Sequence, residues 1–214
     1  YRDAIAASGV LADDGAVKAA VEKILAEHLE ENKTQEVYRK IFNCIDLTTL
    51  KSTDSPDSVA QFTKRVNDFD EEHPELPNVA AICVYPVFAE VVRQVLEVSQ
   101  VNIACVSAGF PSSQTFPEVK IAETALAVGA GADEIDIVMN LGLFFDGDYE
   151  ELCDEMEEIK HSCRRARLKV ILESGALKTA ENIRAASILS LYSGADFLKT
   201  STGKEYPGAS LEAA

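Results

Sequence analysis

Residues 131–138 read Gly-Ala-Asp-Glu-Ile-Asp-Ile-Val, and residues 194–199 read Gly-Ala-Asp-Phe-Leu-Lys. Both stretches begin with Gly-Ala-Asp and continue as an apolar run with one charged residue three positions after that aspartate, Asp136 in the first and Lys199 in the second. Short apolar runs of this kind are typical of buried parallel strands. Because alternate strands of a closed barrel fill the same interior layer, the repeat predicts that Asp136 and Lys199 face each other. Gly-Ala-Asp is also a common helix-to-strand turn, which leaves this interpretation open.

The same alternation of short apolar runs and helical segments extends along most of the chain. Strands are predicted at Cys44–Leu50, Val79–Tyr85, Ile103–Gly109, Glu134–Asn140, Leu168–Ser174 and Phe197–Ser201. Helices are predicted near residues 57–68, 87–99, 118–129, 149–165 and 179–193, the first starting at Ser55-Pro56 with serine as its N-cap. Strands that alternate with helices indicate a parallel sheet with crossover helices.

Two architectures fit this order of elements, an open doubly wound sheet and a closed barrel. No GxGxxG follows the first strand and no GxxxxGK[ST] occurs, so a nucleotide-binding open sheet lacks its usual motifs. We therefore predict an α/β fold, a (β/α)8 TIM barrel with an N-terminal helical extension and about six of its eight βα units present in this sequence. Residues 1–42 are the helical lead-in, and residues 43–214 form the barrel domain.

The composition narrows the classes of partner and compartment. The chain has 214 residues and a formal net charge of -16, which repels nucleic acids and anionic membranes. No apolar run reaches the roughly 18–20 residues of a membrane span. The five cysteines form no CxxC pair and no Cys/His cluster, so we expect no metal site and a reducing, cytoplasmic compartment. The first residue is Tyr1 and not Met, so a lost targeting segment stays open.

Charged and polar residues occupy strand positions where a buried sheet is normally apolar. They are Asp46 and Thr48 in the first strand, Asp136 in the fourth, Lys169 in the fifth and Lys199 in the sixth. Burying an isolated charge is costly, so this concentration favours a functional site over a plain core. Internal salt bridges, or strands shifted so that these side chains face solvent, are the structural alternatives.

The residue types suggest a specific chemistry. A lysine in an apolar pocket close to another cation is expected to have a lowered pKa, and its neutral amine can attack an aldehyde to form an iminium. A nearby carboxylate with a water can move the protons that this reaction needs. After Lys199 come Thr202, Gly203 and Lys204, whose hydroxyl, amide and ammonium groups could bind a phosphate. The pattern predicts a Schiff-base aldolase that needs no cofactor.

The chain resembles a known family, the 2-deoxy-D-ribose-5-phosphate aldolases. The segments that carry the resemblance, in the same order and at similar spacing, are Asp46-Leu47-Thr48-Thr49-Leu50, Ala81-Ile82-Cys83-Val84-Tyr85-Pro86, Ala108-Gly109-Phe110-Pro111, Gly131-Ala132-Asp133-Glu134-Ile135-Asp136, Leu168-Lys169-Val170-Ile171-Leu172 and residues 196–204. The resemblance implies a class I aldolase that reversibly cleaves 2-deoxy-D-ribose 5-phosphate into acetaldehyde and glyceraldehyde 3-phosphate.

The resemblance also implies roles for individual residues. It makes Lys199 the Schiff-base lysine, Asp136 its acid/base partner with an ordered water, and Lys169 an accessory active-site lysine. The substrate-binding residues that it implies are Thr202, Gly203 and Lys204 around the phosphate and Asp46, Thr48 and Cys83 along the pocket. The family continues with two further βα units, which carry a second catalytic lysine and two glycine-rich phosphate loops. We therefore expect the protein to continue beyond Ala214.

Two other functions compete with the active aldolase. The first is a non-catalytic aldolase-like scaffold that binds a protein partner through an acidic helix, although a solvated helix face explains the same residues: Asp148, Glu150, Glu151, Asp154, Glu155, Glu157 and Glu158. The second is another Schiff-base barrel, such as a transaldolase or a sugar-phosphate lyase, which lacks this order of motifs. For the aldolase, the expected partner is a small phosphorylated sugar, and the expected assembly is a homodimer.

Overall fold

The structure is a computed structural model that describes residues 1–7 and 13–214. Its strands are β1 (Asp46–Thr48), β2 (Ala81–Val84), β3 (Asn102–Val106), β4 (Glu134–Val138), β5 (Arg167–Ile171) and β6 (Phe197–Lys199). Its helices are α1 (Arg2–Ala7), α2 (Asp14–His28), α3 (Gln35–Phe42), α4 (Pro56–Glu72), α5 (Ala89–Val95), α6 (Pro117–Gly129), α7 (Leu141–Asp146), α8 (Tyr149–Cys163), α9 (Ser174–Leu177) and α10 (Ala180–Tyr192). Helices α1 to α3 lie in the predicted lead-in, of which residues 8–12 fall outside the described residues.

The six strands form one parallel sheet in the order β1-β2-β3-β4-β5-β6. Each strand therefore pairs with the next one along the chain, and helices connect them, as in a half-barrel. Within the described residues, β1 and β6 are the two edges of the sheet. This order excludes the strand reversal of a doubly wound sheet and agrees with the predicted parallel α/β fold.

The two Gly-Ala-Asp turns connect their strands to the preceding strand in the same way. Gly131 and Gly194 have φ angles of 107° and 89°, in the left-handed region where a side chain is strained. The aspartates that follow accept a hydrogen bond from a backbone N–H of the preceding strand, at 2.9 Å for Asp133 and 2.7 Å for Asp196. Each turn thus fixes the register of its strand, which is why the repeated sequence is followed by residues in equivalent places.

The two faces of the sheet differ in character. One face packs against the helices through a large apolar cluster that includes Ile82, Val84, Ile103, Cys105, Ile135, Ile137, Leu168 and Val170. The alternate residues of the same strands face the concave side, where Ala81, Cys83, Ala104 and Val106 form a second, smaller cluster. Since side chains alternate along a strand, the charged residues predicted for the interior share this concave face.

Several predicted boundaries need correction. Helix α4 begins as predicted, with Ser55 as N-cap and Pro56 in the first turn. The helix predicted near residues 87–99 is shorter, because a 3-10 turn at Pro86–Phe88 precedes α5 and the chain becomes extended at Leu96. The sixth strand is not a buried one, since Phe197 and Leu198 are 47% and 36% exposed. It lies at the edge of the sheet, where no further described strand covers it.

Candidate active site

Five charged side chains meet on the concave face of the sheet. Lys169 is at their centre: its Nζ lies 2.7 Å from Asp46 Oδ2, 2.7 Å from Glu134 Oε2 and 3.2 Å from Asp136 Oδ1. The side chain of Lys169 is 5% exposed and that of Asp136 is 1% exposed. Because water is excluded, these ammonium and carboxylate groups interact much more strongly than they would at the surface.

Lys199 enters the same cluster from β6. Its Nζ donates a hydrogen bond to Asp136 Oδ2 and lies 3.4 Å from Asp46 Oδ2. The contact between Lys199 and Asp136, which the repeated turn predicts, is therefore present. The Lys199 side chain remains 30% exposed, and Lys199 is the last residue of β6, at the carboxyl end where barrel enzymes bind their substrates.

The pKa of Lys199 differs from the expectation. Burial lowers the pKa of its ammonium, but the charge of Asp136 and the hydrogen bond to it outweigh burial, so the net pKa is raised. The pKa of Lys169 is raised as well: burial lowers it, and Asp136, Asp46 and Glu134 raise it by more. The prediction of a lowered pKa for Lys199 is wrong for this arrangement, since its nearest charged neighbour is an anion. A reacting Lys199 must first pass a proton to a base.

Cys83 and Thr48 occupy a second position on the concave face, where β1 and β2 pair them with each other. Burial, and then the nearby charge of Asp136, raises the pKa of the Cys83 thiol to about 12, so Cys83 is a neutral wall of the site. Thr48 is exposed, and its hydroxyl donates to the backbone carbonyl of Asp46. The structure thus brings Asp46 into the charged cluster and leaves Thr48 beside it.

Glu134 belongs to the cluster but was not among the predicted site residues. Its carboxylate accepts a hydrogen bond from Asn102 at 2.9 Å, lies 3.5 Å from Arg167 and pairs with Lys169. Glu134 precedes Asp136 by two positions, so the period of a strand places both carboxylates on one face. That spacing was available in the sequence and would have identified Glu134.

The predicted phosphate loop follows β6 directly and makes unexpected contacts. Thr202 donates two hydrogen bonds to the Glu173 carboxylate, one from its backbone N–H at 3.2 Å and one from its hydroxyl at 2.5 Å. Lys204 Nζ donates to the backbone carbonyl of Leu50, on the loop after β1. Gly203 has a φ of 69° and is exposed. The loop therefore lies at the mouth of the concave face, beside the charged cluster.

A second loop, after β3, forms another wall of the site. Phe110 packs with the cluster of Ala81, Cys83, Ala104 and Val106 on the concave face. Helix α6 holds this loop by three of its side chains: Glu123 accepts from Gly109 N–H, Thr124 bonds with Ser107, and Lys120 donates to Ser113. The wall is thus attached to a helix rather than left to solvent.

In residues 1–7 and 13–214, no three His, Cys, Asp or Glu side chains are arranged to hold a metal ion. Across the same residues, no helix combines the length and the apolar character that a membrane crossing needs.

Comparison with known proteins identifies the relatives of this chain. The family model described as DeoC/LacD family aldolase matches residues 41–214. The human deoxyribose-phosphate aldolase is 35% identical over 210 residues, which are 93% of this chain and 66% of the human protein. The chain therefore spans about two thirds of the length of this curated relative.

Solved structures agree with the sequence comparison. The aldolase QR15 superposes with a TM-score of 0.72 at 31% identity, over 81% of this chain and 73% of that chain. The deoxyribose phosphate aldolase from Aeropyrum pernix, whose structure is described as a unique tetramer, superposes with a TM-score of 0.70 at 25% identity, over 84% and 72% of the two chains. Since the family model covers residues 41–214, this chain belongs to the DeoC/LacD family of aldolases.

Proposed function

We propose that the protein is a class I aldolase that reversibly cleaves 2-deoxy-D-ribose 5-phosphate into acetaldehyde and glyceraldehyde 3-phosphate. The observation that carries this proposal is the contact of Lys199 with Asp136 on the concave face, where the Lys199 side chain is 30% exposed. Family membership and the names of the curated relatives support the same activity and a phosphorylated sugar as substrate.

Chemistry begins with proton transfer, because a protonated Lys199 cannot attack a carbonyl. Asp136 is in hydrogen-bond contact and takes a proton from the ammonium. The Lys199 nitrogen then adds to the aldehyde carbon of the open-chain sugar, and loss of water gives an iminium. The departing oxygen takes one proton from the added amine nitrogen and one from Asp136, so it leaves as water and the protons balance.

Carbon–carbon cleavage follows from the iminium. The hydroxyl on the third carbon loses its proton to a base, and the bond between the second and third carbons breaks, so that its electrons enter the iminium and form an enamine. Glyceraldehyde 3-phosphate leaves. The enamine takes up a proton on carbon, and water then releases acetaldehyde and restores Lys199. Lys169, held by three carboxylates, remains protonated and adds positive charge near the reacting nitrogen.

The finer features of the fold and assembly are part of the same proposal. Asp136 on β4 pairs with Lys169 on β5, and Lys199 on β6 pairs with Ile171, two residues later on β5. Lys199 is therefore displaced by two residues from the register of Asp136. A slip of two residues over two strands is what eight strands with a shear of about eight produce, which supports a (β/α)8 barrel. We further propose the division at residues 1–42 and 43–214, a homodimer and a cytoplasmic location.

Borohydride trapping tests the function. With acetaldehyde, reduction should attach a two-carbon adduct to Lys199, found by peptide mapping. Lys199→Arg should abolish both adduct and turnover, because a guanidinium stays protonated and cannot attack. Lys64→Arg, on the exposed face of α4, is the matched control and should keep both. An adduct found only on Lys169, or turnover by Lys199→Arg, would contradict the assignment.

A further inference from the structure

The loops after β5 and β6 are locked together at the mouth of the site. Ser174 N–H donates to the carbonyl of Thr200 at 2.7 Å. Next to it, a Cβ placed on Gly175 would lie 2.8 Å from the carbonyl oxygen of Pro207 and 2.9 Å from Tyr206 Cβ, closer than real side chains come. The two loops therefore behave as one unit, and glycine is needed at position 175 for their close approach.

Glu173 is the side chain that joins these loops. It is 2% exposed, and its carboxylate accepts the two hydrogen bonds from Thr202. Its backbone has a φ of 54° and a ψ of 60°, the left-handed conformation, which is strained for a residue other than glycine. A buried charge and a strained backbone on the same residue are a double cost, which is typical of positions that serve a site.

These contacts change the expected role of Thr202. A threonine hydroxyl can donate only one hydrogen bond, and here Glu173 accepts it. The hydroxyl oxygen also accepts the backbone N–H of Lys204 at 3.1 Å. Thr202 therefore has no proton to offer an anion, whereas Gly203 N–H has no acceptor among the described residues. Gly203 N–H and the Lys204 ammonium are therefore among the donors in this loop that can bind an anion, as is the Ser201 hydroxyl, which has no partner among the described residues.

We propose that Glu173 is a positioning residue for the substrate phosphate: its carboxylate holds Thr202, and through Thr202 the Gly203–Lys204 segment, in the conformation that receives the anion. This inference rests on the proposed aldolase function and deepens it. A carboxylate near a phosphate repels it. The ordering of the loop by Glu173 must therefore favour phosphate binding by more than this repulsion opposes it. The two hydrogen bonds to Thr202 satisfy the carboxylate and reduce that repulsion.

The test compares two substrates, 2-deoxyribose 5-phosphate and 2-deoxyribose, in the full-length protein. The measured quantity is the ratio of their kcat/KM values, which cancels general defects. Glu173→Ala should lower the ratio about 10–100-fold, the value of the charge-assisted hydrogen bonds it loses. Glu173→Gln, the variant to use if alanine does not fold, should lower it less, since the amide keeps one acceptor for Thr202 N–H. Glu205→Ala removes an exposed charge from the same loop and should leave the ratio within about twofold.

A double-mutant cycle with Thr202→Val completes the test. If Glu173 acts through Thr202, the double variant should have the same ratio as the more severe single variant. Additive losses would mean that Thr202 contacts the phosphate by itself, and an unchanged or higher ratio in Glu173→Ala would mean that the carboxylate only repels the anion. Either result overturns the proposal. Failure of the aldolase function is a separate result, namely a wild-type protein that forms no borohydride adduct with acetaldehyde.

Discussion

Two lysine clusters of this protein differ in how their charges are matched. Between α6 and α8, Lys120 is fully buried and its Nζ contacts one carboxylate, Glu155 at 2.7 Å, and one hydroxyl, Ser113 at 2.9 Å. On the concave face, Lys169 and Lys199 share Asp46 and Asp136, and Glu134 adds a further carboxylate. The first group is matched one to one. The second has more acceptors than either lysine needs, so its protons can be redistributed.

The difference separates a structural ion pair from the pair that we propose to be reactive. Asp136 Oδ1 lies 3.2 Å from Lys169 Nζ but accepts no well-oriented hydrogen bond from a described residue. An oxygen left in this state inside a core is costly, and it is available to a water or a substrate. In the Lys120–Glu155 pair the charges neutralise each other, and the two side chains are 0% and 7% exposed. The four predictions below test this contrast, from the largest expected effect to the smallest.

Asp136→Asn should give the largest effect, on turnover. Proton transfer by a positioned group contributes roughly 10²–10⁴-fold, so kcat should fall by about that factor. The pKa of Lys199 should fall, because its main raising charge is gone, and the borohydride adduct should therefore still form. Steady-state kinetics and mass spectrometry measure the two quantities. If kcat falls less than about tenfold, Asp136 is not the acid/base group.

Lys120→Met should reduce stability rather than chemistry. Removal of one partner of a buried ion pair leaves Glu155 uncompensated and costs about 3–5 kcal/mol in the free energy of unfolding. Urea denaturation measures this loss. The double variant Lys120→Met/Glu155→Leu should recover most of it, since an apolar pair replaces the charges. Lys64→Met, at an exposed site, should change stability by less than about 0.5 kcal/mol. A double variant as unstable as the single one would mean that packing, not charge, dominates.

Lys204→Ala should have a smaller, substrate-dependent effect. Lys204 is exposed and bonds to the carbonyl of Leu50, so a phosphate can recruit its ammonium. Loss of a charge-assisted hydrogen bond of about 1.5–3 kcal/mol corresponds to roughly 10–100-fold in kcat/KM for 2-deoxyribose 5-phosphate. The loss with unphosphorylated 2-deoxyribose should be much smaller. Equal losses with the two substrates would place the phosphate elsewhere and give Lys204 a role in loop structure.

The smallest effect concerns stability at high pH. The pKa of Lys169 and that of Lys199 are raised in the folded protein, so above pH 10.5 the unfolded chain loses protons that the folded protein keeps. Their contribution to stability is complete below the unfolded pKa and declines as pH rises through the folded pKa, by up to about 1.4 kcal/mol per pH unit for each group. Urea titrations at pH 10 to 12 should show a steeper decline in wild type than in Asp136→Asn. Parallel declines would contradict it.

The sequence predicted the parts of the site that follow from strand periodicity. A charged side chain within an apolar strand needs a charged or polar partner on the same face of the sheet. This made it possible to predict the positions of Lys169, Lys199, Asp136 and Asp46. Glu155 was interpreted as part of a solvated acidic helix face, but it is buried against Lys120. Its pairing joins residues 35 positions apart on different helices, and no local pattern contains that information.

The contacts between loops were also beyond sequence patterns. Glu173 follows β5 and Thr202 follows β6, so their contact depends on how two connections leave the sheet. The raised pKa of Lys199 likewise depends on which charge is nearest, an anion or a cation. Periodicity identifies which residues share a face, but it does not rank the distances between them. Turn geometry and ion-pair partners therefore had to come from the structure.

The position of Asp46 has a consequence for how the protein folds. Asp46 lies on the first strand, and it contacts lysines that lie 123 and 153 positions later in the sequence. Contacts of such high sequence separation carry the largest loop-closure entropy and tend to form late. The cluster is therefore complete only when the first strand and the last described strand have both docked. During refolding, the ability to form a Schiff base should therefore appear after the helices have formed. It should report on tertiary structure that far-UV circular dichroism, which detects helices, does not show.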